Sequence, residues 1–124
     1  MSFDERLDVQ VDVDPEVTQA AVPTFLLQPL IENAIRHGLS KLTTPGYIEV
    51  AAWRAGDRLH LRVRDNGAGL PTGWTLGEHA GIGLKNTRAR LEHLYGPDEY
   101  ALVVSNNAEG AGACVDVTLP FRNL

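Results

Sequence analysis

A chain of 124 residues with 44% hydrophobic and 22% charged side chains has room for one packed core and not two, so a single globular domain over residues 1–124 is expected. A net charge of −5, with Lys41 and Lys85 the only lysines among eleven basic residues, excludes a general nucleic-acid binder. One cysteine, Cys114, excludes an internal disulfide and fits a reducing compartment, and no apolar run has membrane length or signal-peptide form.

Met1 to Glu5 reads as a frayed or added end. Residues 6–13 alternate, with Leu7, Val9, Val11 and Val13 on one face, which predicts a strand with that face buried. Asp14-Pro15 breaks it. Pro23-Thr24 opens a long helix, and Pro29 should kink or restart it near residue 25. Wound at about 100° per residue, this helix puts Leu26, Leu27, Leu30, Ile31, Ala34 and Ile35 on one apolar face and Glu32 and Arg36 opposite. Asn33 and His37 lie i, i+4 at the edge of the stripe, and Gly38 supplies a stop. A half-buried Asn must satisfy both an oxygen and a nitrogen, so it is a candidate for ligand contact as well as for packing.

A polar loop follows, to Pro45-Gly46. Tyr47–Arg54 and Arg58–Asp65 form a hairpin about the turn Ala55-Gly56-Asp57. The second strand aims Leu59, Leu61, Val63 and then Asp65 at the core, while Arg62 and Arg64 point away. A buried carboxylate is costly unless protein or ligand supplies donors. Asn66-Gly67-Ala68-Gly69 comes next and allows close backbone approach, although an Asx turn would also account for Asp-Asn-Gly. Residues 66–83 hold six glycines and no period, as a mobile loop would. Gly81-Ile82-Gly83-Leu84 opens a helix whose free N–H groups make an anion site. Leu84, Thr87, Arg88, Leu91, Leu94 and Tyr95 carry its helical spacing, Gly96-Pro97 ends it, and residues 100–105 and 113–119 are two further strands. Cys114 falls in the last strand, where packing is its expected role. The order predicts an α+β fold, with helices on one face of a mixed, largely antiparallel sheet.

Three elements in this order resemble the ATP-binding superfamily of gyrase, the ninety-kilodalton heat-shock chaperone, histidine kinases and MutL. Glu32-Asn33-Ala34-Ile35-Arg36-His37-Gly38 matches its N box, Asp65-Asn66-Gly67-Ala68-Gly69-Leu70 its G1 box, and Gly81-Ile82-Gly83-Leu84 its G2 box. Leu27 to Gly38, Gly83 to Leu91 and Tyr95-Gly96 are similar to sensor histidine kinases of the LytS, autolysis-regulator class. The resemblance implies a two-layer α/β sandwich of the Bergerat type and a magnesium-dependent ATP site. Asn33 would hold Mg²⁺, and Arg36 and His37 would reach phosphate or ribose. Asp65 would accept from the adenine amino group, with Gly67, Gly69 and Leu70 shaping the purine pocket. Gly81, Gly83, Leu84 and Asn86 would hold the phosphates, and the loop from Gly69 to Gly81 would be a short ATP lid.

One departure is informative. Hydrolytic members and anti-sigma serine kinases of the superfamily carry a Glu four residues before the N-box Asn, where this chain has Pro29. That favours transfer to imidazole over hydrolysis. Glu32 is a catalytic candidate beside Asn33, though its position suits a salt bridge equally. The implied acceptor is a histidine on upstream dimerisation helices of the same receptor. None of His37, His60, His79 and His93 sits in such a helix. The implied setting is the cytoplasmic end of a membrane-bound sensor, homodimeric at full length, monomeric as an isolated domain, and signalling to a response regulator. Two other readings stand beside it: a nucleotide-gated, anti-sigma-like serine kinase or binding module, which Pro29 disfavours, and a degenerate domain, which the retained Asn33, Asp65 and glycines disfavour.

Overall fold

A computed structural model of the protein describes residues 7–17, 27–39 and 46–122. Five strands, β1 (Leu7–Val13), β2 (Gly46–Ala55), β3 (Arg58–Asp65), β4 (Ala101–Asn106) and β5 (Ala113–Pro120), form one sheet in the order β1-β2-β3-β5-β4. The β1–β2 pair is parallel and the other three are antiparallel. A parallel pair needs a crossover, and here the crossover carries helix α1 (Leu27–Asn33). Two more helices, α2 (Leu76–His79) and α3 (Ile82–Leu94), lie between β3 and β4. The architecture is the expected α+β arrangement.

Alternation decides which faces are buried. In β2, Ile48, Val50 and Ala52 turn inward, and in β3, Leu59, Leu61, Val63 and Asp65 do so, as the pattern required. Val115, Val117 and Leu119 of β5 join them, and Leu30 of α1 with Leu84 and Leu91 of α3 closes the core from above. The outer face of the sheet is polar and paired: Arg62 meets Asp116 at 2.8 Å, Arg64 pairs with Glu49, and His60 stacks on Trp53 with ring centroids 5.2 Å apart. Cys114 faces this side, buried and free; burial pushes its thiol up to about 11, which disfavours the thiolate form.

Four expectations need correction. The valines of β1 are not buried: Val9, Val11 and Val13 are 47%, 65% and 40% exposed. Their register with Ile48, Val50 and Ala52 keeps them on the core face, but β1 is the sheet edge, and burial there is set by the neighbouring layer. In α3, Leu84, Thr87 and Leu91 are buried, whereas Arg88 pairs with Glu92 in solvent and Leu94 is 51% exposed. The helix stops at Leu94, and in its last turn Leu91 holds the core contact while Leu94 turns outward. After Asn33 the chain winds as a π-helix over Ala34–Leu39, passing through Gly38 without stopping there. The wider turn changes the angular spacing that the helical reading assumed for residues 34–39. Finally, α2 forms inside the glycine-rich 66–83 loop. The helix start at Pro23-Thr24, the break near residue 25, the strand residue Arg6, the loop through Pro45 and the side chain of His37 lie outside the described residues.

Candidate functional site

Where β3 ends, α1 ends and α3 begins, the fold leaves a cavity of about 530 Å³, within the usual range for small-molecule sites. Asn33, Asp65, Gly69, Leu70, Gly81 and Leu84 line it, so residues of all three boxes meet at one place. The remaining expected residues stand apart. Gly67 contributes its N–H to Asp65, and Gly83 and Asn86 lie on the first turns of α3 without lining the cavity. Glu32 is exposed, accepts a hydrogen bond from Gln28 at 3.4 Å and does not line the cavity, and Arg36 is exposed.

Asp65 is 6% exposed at the inward-facing end of β3. Two backbone groups donate to it, Gly67 N at 2.8 Å and Ala113 N at 3.3 Å, and both end on Oδ1. The first is an Asx turn, so that reading of Asp-Asn-Gly is correct for one oxygen. Oδ2 takes no hydrogen bond from the described residues. Burial holds the carboxyl above its ordinary range, and the two backbone bonds offset part of that rise. A buried carboxylate with one unbonded oxygen on a cavity wall can accept from a donor outside the chain.

Asn33 is half-buried at the point where α winding gives way to π winding, and its side chain makes no hydrogen bond among the described residues. Its amide is therefore available to a ligand. Opposite, α3 starts at Gly81, whose N-cap position has no side-chain cap. Gly81 O accepts from Lys85 N at 3.1 Å, while the N–H groups of the first turn have no intrahelical partner. An uncapped helix start at a cavity wall favours anions.

Several residues at the site carried no weight in the sequence reading. Thr75 caps α2 by accepting from Glu78 N at 3.3 Å, and Thr75 N donates to His79 Nδ1 at 2.9 Å. The spelling Thr75-Leu76-Gly77-Glu78 is that of a capping box and was the available signal. His79 lines the cavity, as does Trp74, which packs half-buried against the core. Ala113, Asn106 and Asn107 contact the Asp65–Leu70 segment from the β4–β5 connection. Nothing in the local sequence marks them.

A two-layer fold thus sets a buried carboxylate, an inward Asn and an open helix start around one cavity. Residues 22–123 match the family model described as histidine kinase-, DNA gyrase B-, and HSP90-like ATPase, and the chain belongs to that family. Among curated relatives it is 37% identical over 123 residues to the sensor histidine kinase YesM of Bacillus subtilis. It is 35% identical over 121 residues to the sensor histidine kinase BtsS of Escherichia coli, and 31% identical over 131 residues to the sensor protein LytS of Staphylococcus saprophyticus. Each alignment covers 98% of this chain, whereas the chain spans 21–22% of these relatives. In fold it is similar to the histidine kinase domain of a blue-light activated kinase from Erythrobacter litoralis (TM-score 0.71, 22% identity, 94% of this chain and 52% of that one). It is also similar to the catalytic domain of the histidine kinase ThkA (TM-score 0.69, 14% identity, 92% and 78%).

Proposed function

We propose that this domain binds Mg-ATP in the cavity and donates the γ-phosphate to a histidine on separate dimerisation helices, as the catalytic part of a two-component sensor kinase. The observation that supports it most is the pairing, in one cavity, of buried Asp65 and Asn33: among the described residues, neither Oδ2 of the first nor the amide of the second has a partner. The adenine amino group donates to Oδ2, Gly69 and Leu70 border the ring, and the phosphates reach the first-turn N–H groups of α3 at Gly83 and Leu84. Asn33 suits Mg²⁺, a hard cation that takes one or two protein oxygens and completes its shell with phosphate and water. Among the described residues no cluster of three acidic, His or Cys side chains competes for it. When bound, the ion neutralises charge on the triphosphate. Arg36 and His37, on the π turn, and Asn86, exposed on α3, are the remaining phosphate or ribose contacts; Glu32 faces solvent, where it is placed to assist only an acceptor side chain.

Chemically, an imidazole nitrogen attacks the γ-phosphorus, the bond to the β–γ bridging oxygen breaks, and ADP leaves. The domain contributes position and charge stabilisation. Pro29 stands where hydrolytic relatives place a water-activating Glu, a contribution of about 10²–10⁴-fold. ATP is therefore turned over slowly without an acceptor. Among the described residues no helix is long and apolar enough to cross a membrane; we assign the domain to the cytoplasmic side of a membrane sensor that dimerises through its acceptor helices. A response regulator is the onward partner, and the ThkA kinase of similar fold has been solved in complex with one, TrrA.

The test is phosphotransfer in trans. Mixed with separately expressed acceptor helices of the same receptor and labelled ATP, the domain should place acid-labile, base-stable phosphate on the helices, and Asn33→Ala should abolish it. Calorimetry should show the Mg²⁺-dependent part of ATP affinity missing in Asn33→Ala. Brisk ATPase activity from the domain alone, or acid-stable phosphoserine on a partner, would establish the hydrolytic or anti-sigma reading instead.

The lid gives a second expected result. Residues 70–80 hold one short helix fixed by the Thr75 cap and by Trp74, with most side chains exposed. Such segments open at low free energy. Adding Mg²⁺ and a non-hydrolysable ATP analogue should slow amide exchange across 72–80 and shift Trp74 fluorescence, and identical exchange in both states would remove the lid from the mechanism.

A further inference from the structure

The β4–β5 connection lies outside the three boxes, yet it bonds directly to the first glycine box. The β3–β5 ladder ends at the Arg64–Cys114 pair. One residue further on, the Asp65 carbonyl sits beside Gly112, and the N–H of Ala113 goes to the Asp65 side chain instead of to that carbonyl. The missing ladder donor is replaced by a side chain: Asn107 Nδ2 donates to Asp65 O at 2.8 Å and to Ala111 O at 2.8 Å, while Asn107 N donates to Gly112 O at 3.0 Å. With its amide nitrogen facing two carbonyls, Asn107 has a fixed orientation, and its Oδ1 is left buried without a partner among the described residues. A fold tolerates such an orphan where the rest of the side chain does something it needs.

Asn106 acts on the other end of the box. Its Oδ1 accepts from Leu70 N at 2.7 Å and its Nδ2 donates to Leu70 O at 3.4 Å, pairing with the main chain as a neighbouring strand would. Leu70 is where the glycine turn becomes the lid, directly after Gly69 at φ +78°.

We propose that Asn107 and Asn106 are positioning residues for nucleotide recognition: Asn107 sets the Asp65 main chain, and through it the aim of the free carboxylate oxygen, while Asn106 pins Leu70 as the fixed end of the lid. Neither touches the nucleotide. The inference rests on the assignment of Asp65 to adenine, and it extends base selection to a loop that has no motif.

Asn107→Asp keeps the shape and removes both N–H groups; Asn107→Ala removes the amide if the isosteric change prevents folding. Affinities for ATP and GTP, melting temperature and lid exchange are measured for these, for Asn106→Ala and for the unmodified protein. Asn107 variants should lose about tenfold in ATP affinity, the scale of a buried hydrogen bond, with GTP affinity unchanged, so that the ATP:GTP ratio falls by the same factor. Asn106→Ala should weaken both nucleotides alike, keep the ratio, and speed exchange at Leu70 and Thr72–Leu76. A lowered melting temperature with an unchanged ratio in the Asn107 variants, or unchanged lid exchange in Asn106→Ala, overturns the proposal while leaving ATP binding standing. No preference for ATP in the unmodified protein would overturn the Asp65 assignment itself.

Discussion

Asp65→Asn should lose about 1–3 kcal/mol of ATP affinity, the scale of a hydrogen bond to a charged group, and at the same time raise the melting temperature of the ligand-free domain at neutral pH. The binding loss follows from donors and acceptors. The replacement amide oxygen can still accept from Gly67 N and Ala113 N, as Oδ1 does now. Its NH₂ then stands where the free oxygen stood, opposing the adenine amino group and suiting a purine carbonyl, so selectivity should move toward GTP. The stability gain follows from burial, which holds the Asp65 carboxyl above its ordinary range despite the two backbone bonds. The folded state therefore binds the proton more readily than the unfolded chain. The associated stabilisation is complete below the unfolded carboxyl's pKa and is lost as pH rises through the folded one. At neutral pH the empty site carries the cost of an ionised buried group, and Asn removes it. Calorimetric melts at acid and neutral pH, with ATP and GTP titrations, check both halves. A lower melting temperature for Asp65→Asn at neutral pH, or unaltered ATP affinity, would contradict this account.

Gly112→Ala should cost roughly 3–5 kcal/mol of stability, at the extreme of single substitutions, and lower the melting temperature by about 10–20 °C. A Cβ there would lie 1.9 Å from Asp65 O, 2.7 Å from Asp65 C and 2.9 Å from Asn66 Cα. All three are backbone atoms that cannot swing aside, and φ at Gly112 is +103°, a conformation side chains rarely adopt. Gly110→Ala is the control. Gly110 also has positive φ, at +80°, but a Cβ added to it would meet nothing within 4 Å, so only the backbone penalty of about 1–2 kcal/mol applies. Equal melting temperatures for the two variants would show that the loop does not press on Asp65 as the structure has it.

How much of this was readable in advance differs from residue to residue. Period-two alternation placed Asp65 on the core face of β3, because pleating leaves an inward strand residue no other direction. The same rule failed at Val9, Val11 and Val13: it assigns a shared face, which they have, but not a covering layer, which an edge strand lacks. Helical periodicity placed Leu30, Leu84 and Leu91 correctly, and gave no sign of the π winding after Asn33, since it assumes 3.6 residues per turn throughout.

The sequence by itself determined the sheet faces, the order of the three boxes and the side chains able to face a nucleotide, because each depends on residues within a few positions of one another. Tertiary structure alone decided that Asp65 uses one oxygen for the protein while the other has no partner among the described residues, and that Asn106 and Asn107 bond to the Asp65–Leu70 segment. Those contacts join residues separated by 36, 42 and 48 positions. They exist because β5 pairs with β3 in one register and turns away one residue before Asp65. Local spacing carries no trace of that register, which is set by the hydrophobic faces of two strands packing under the same helices.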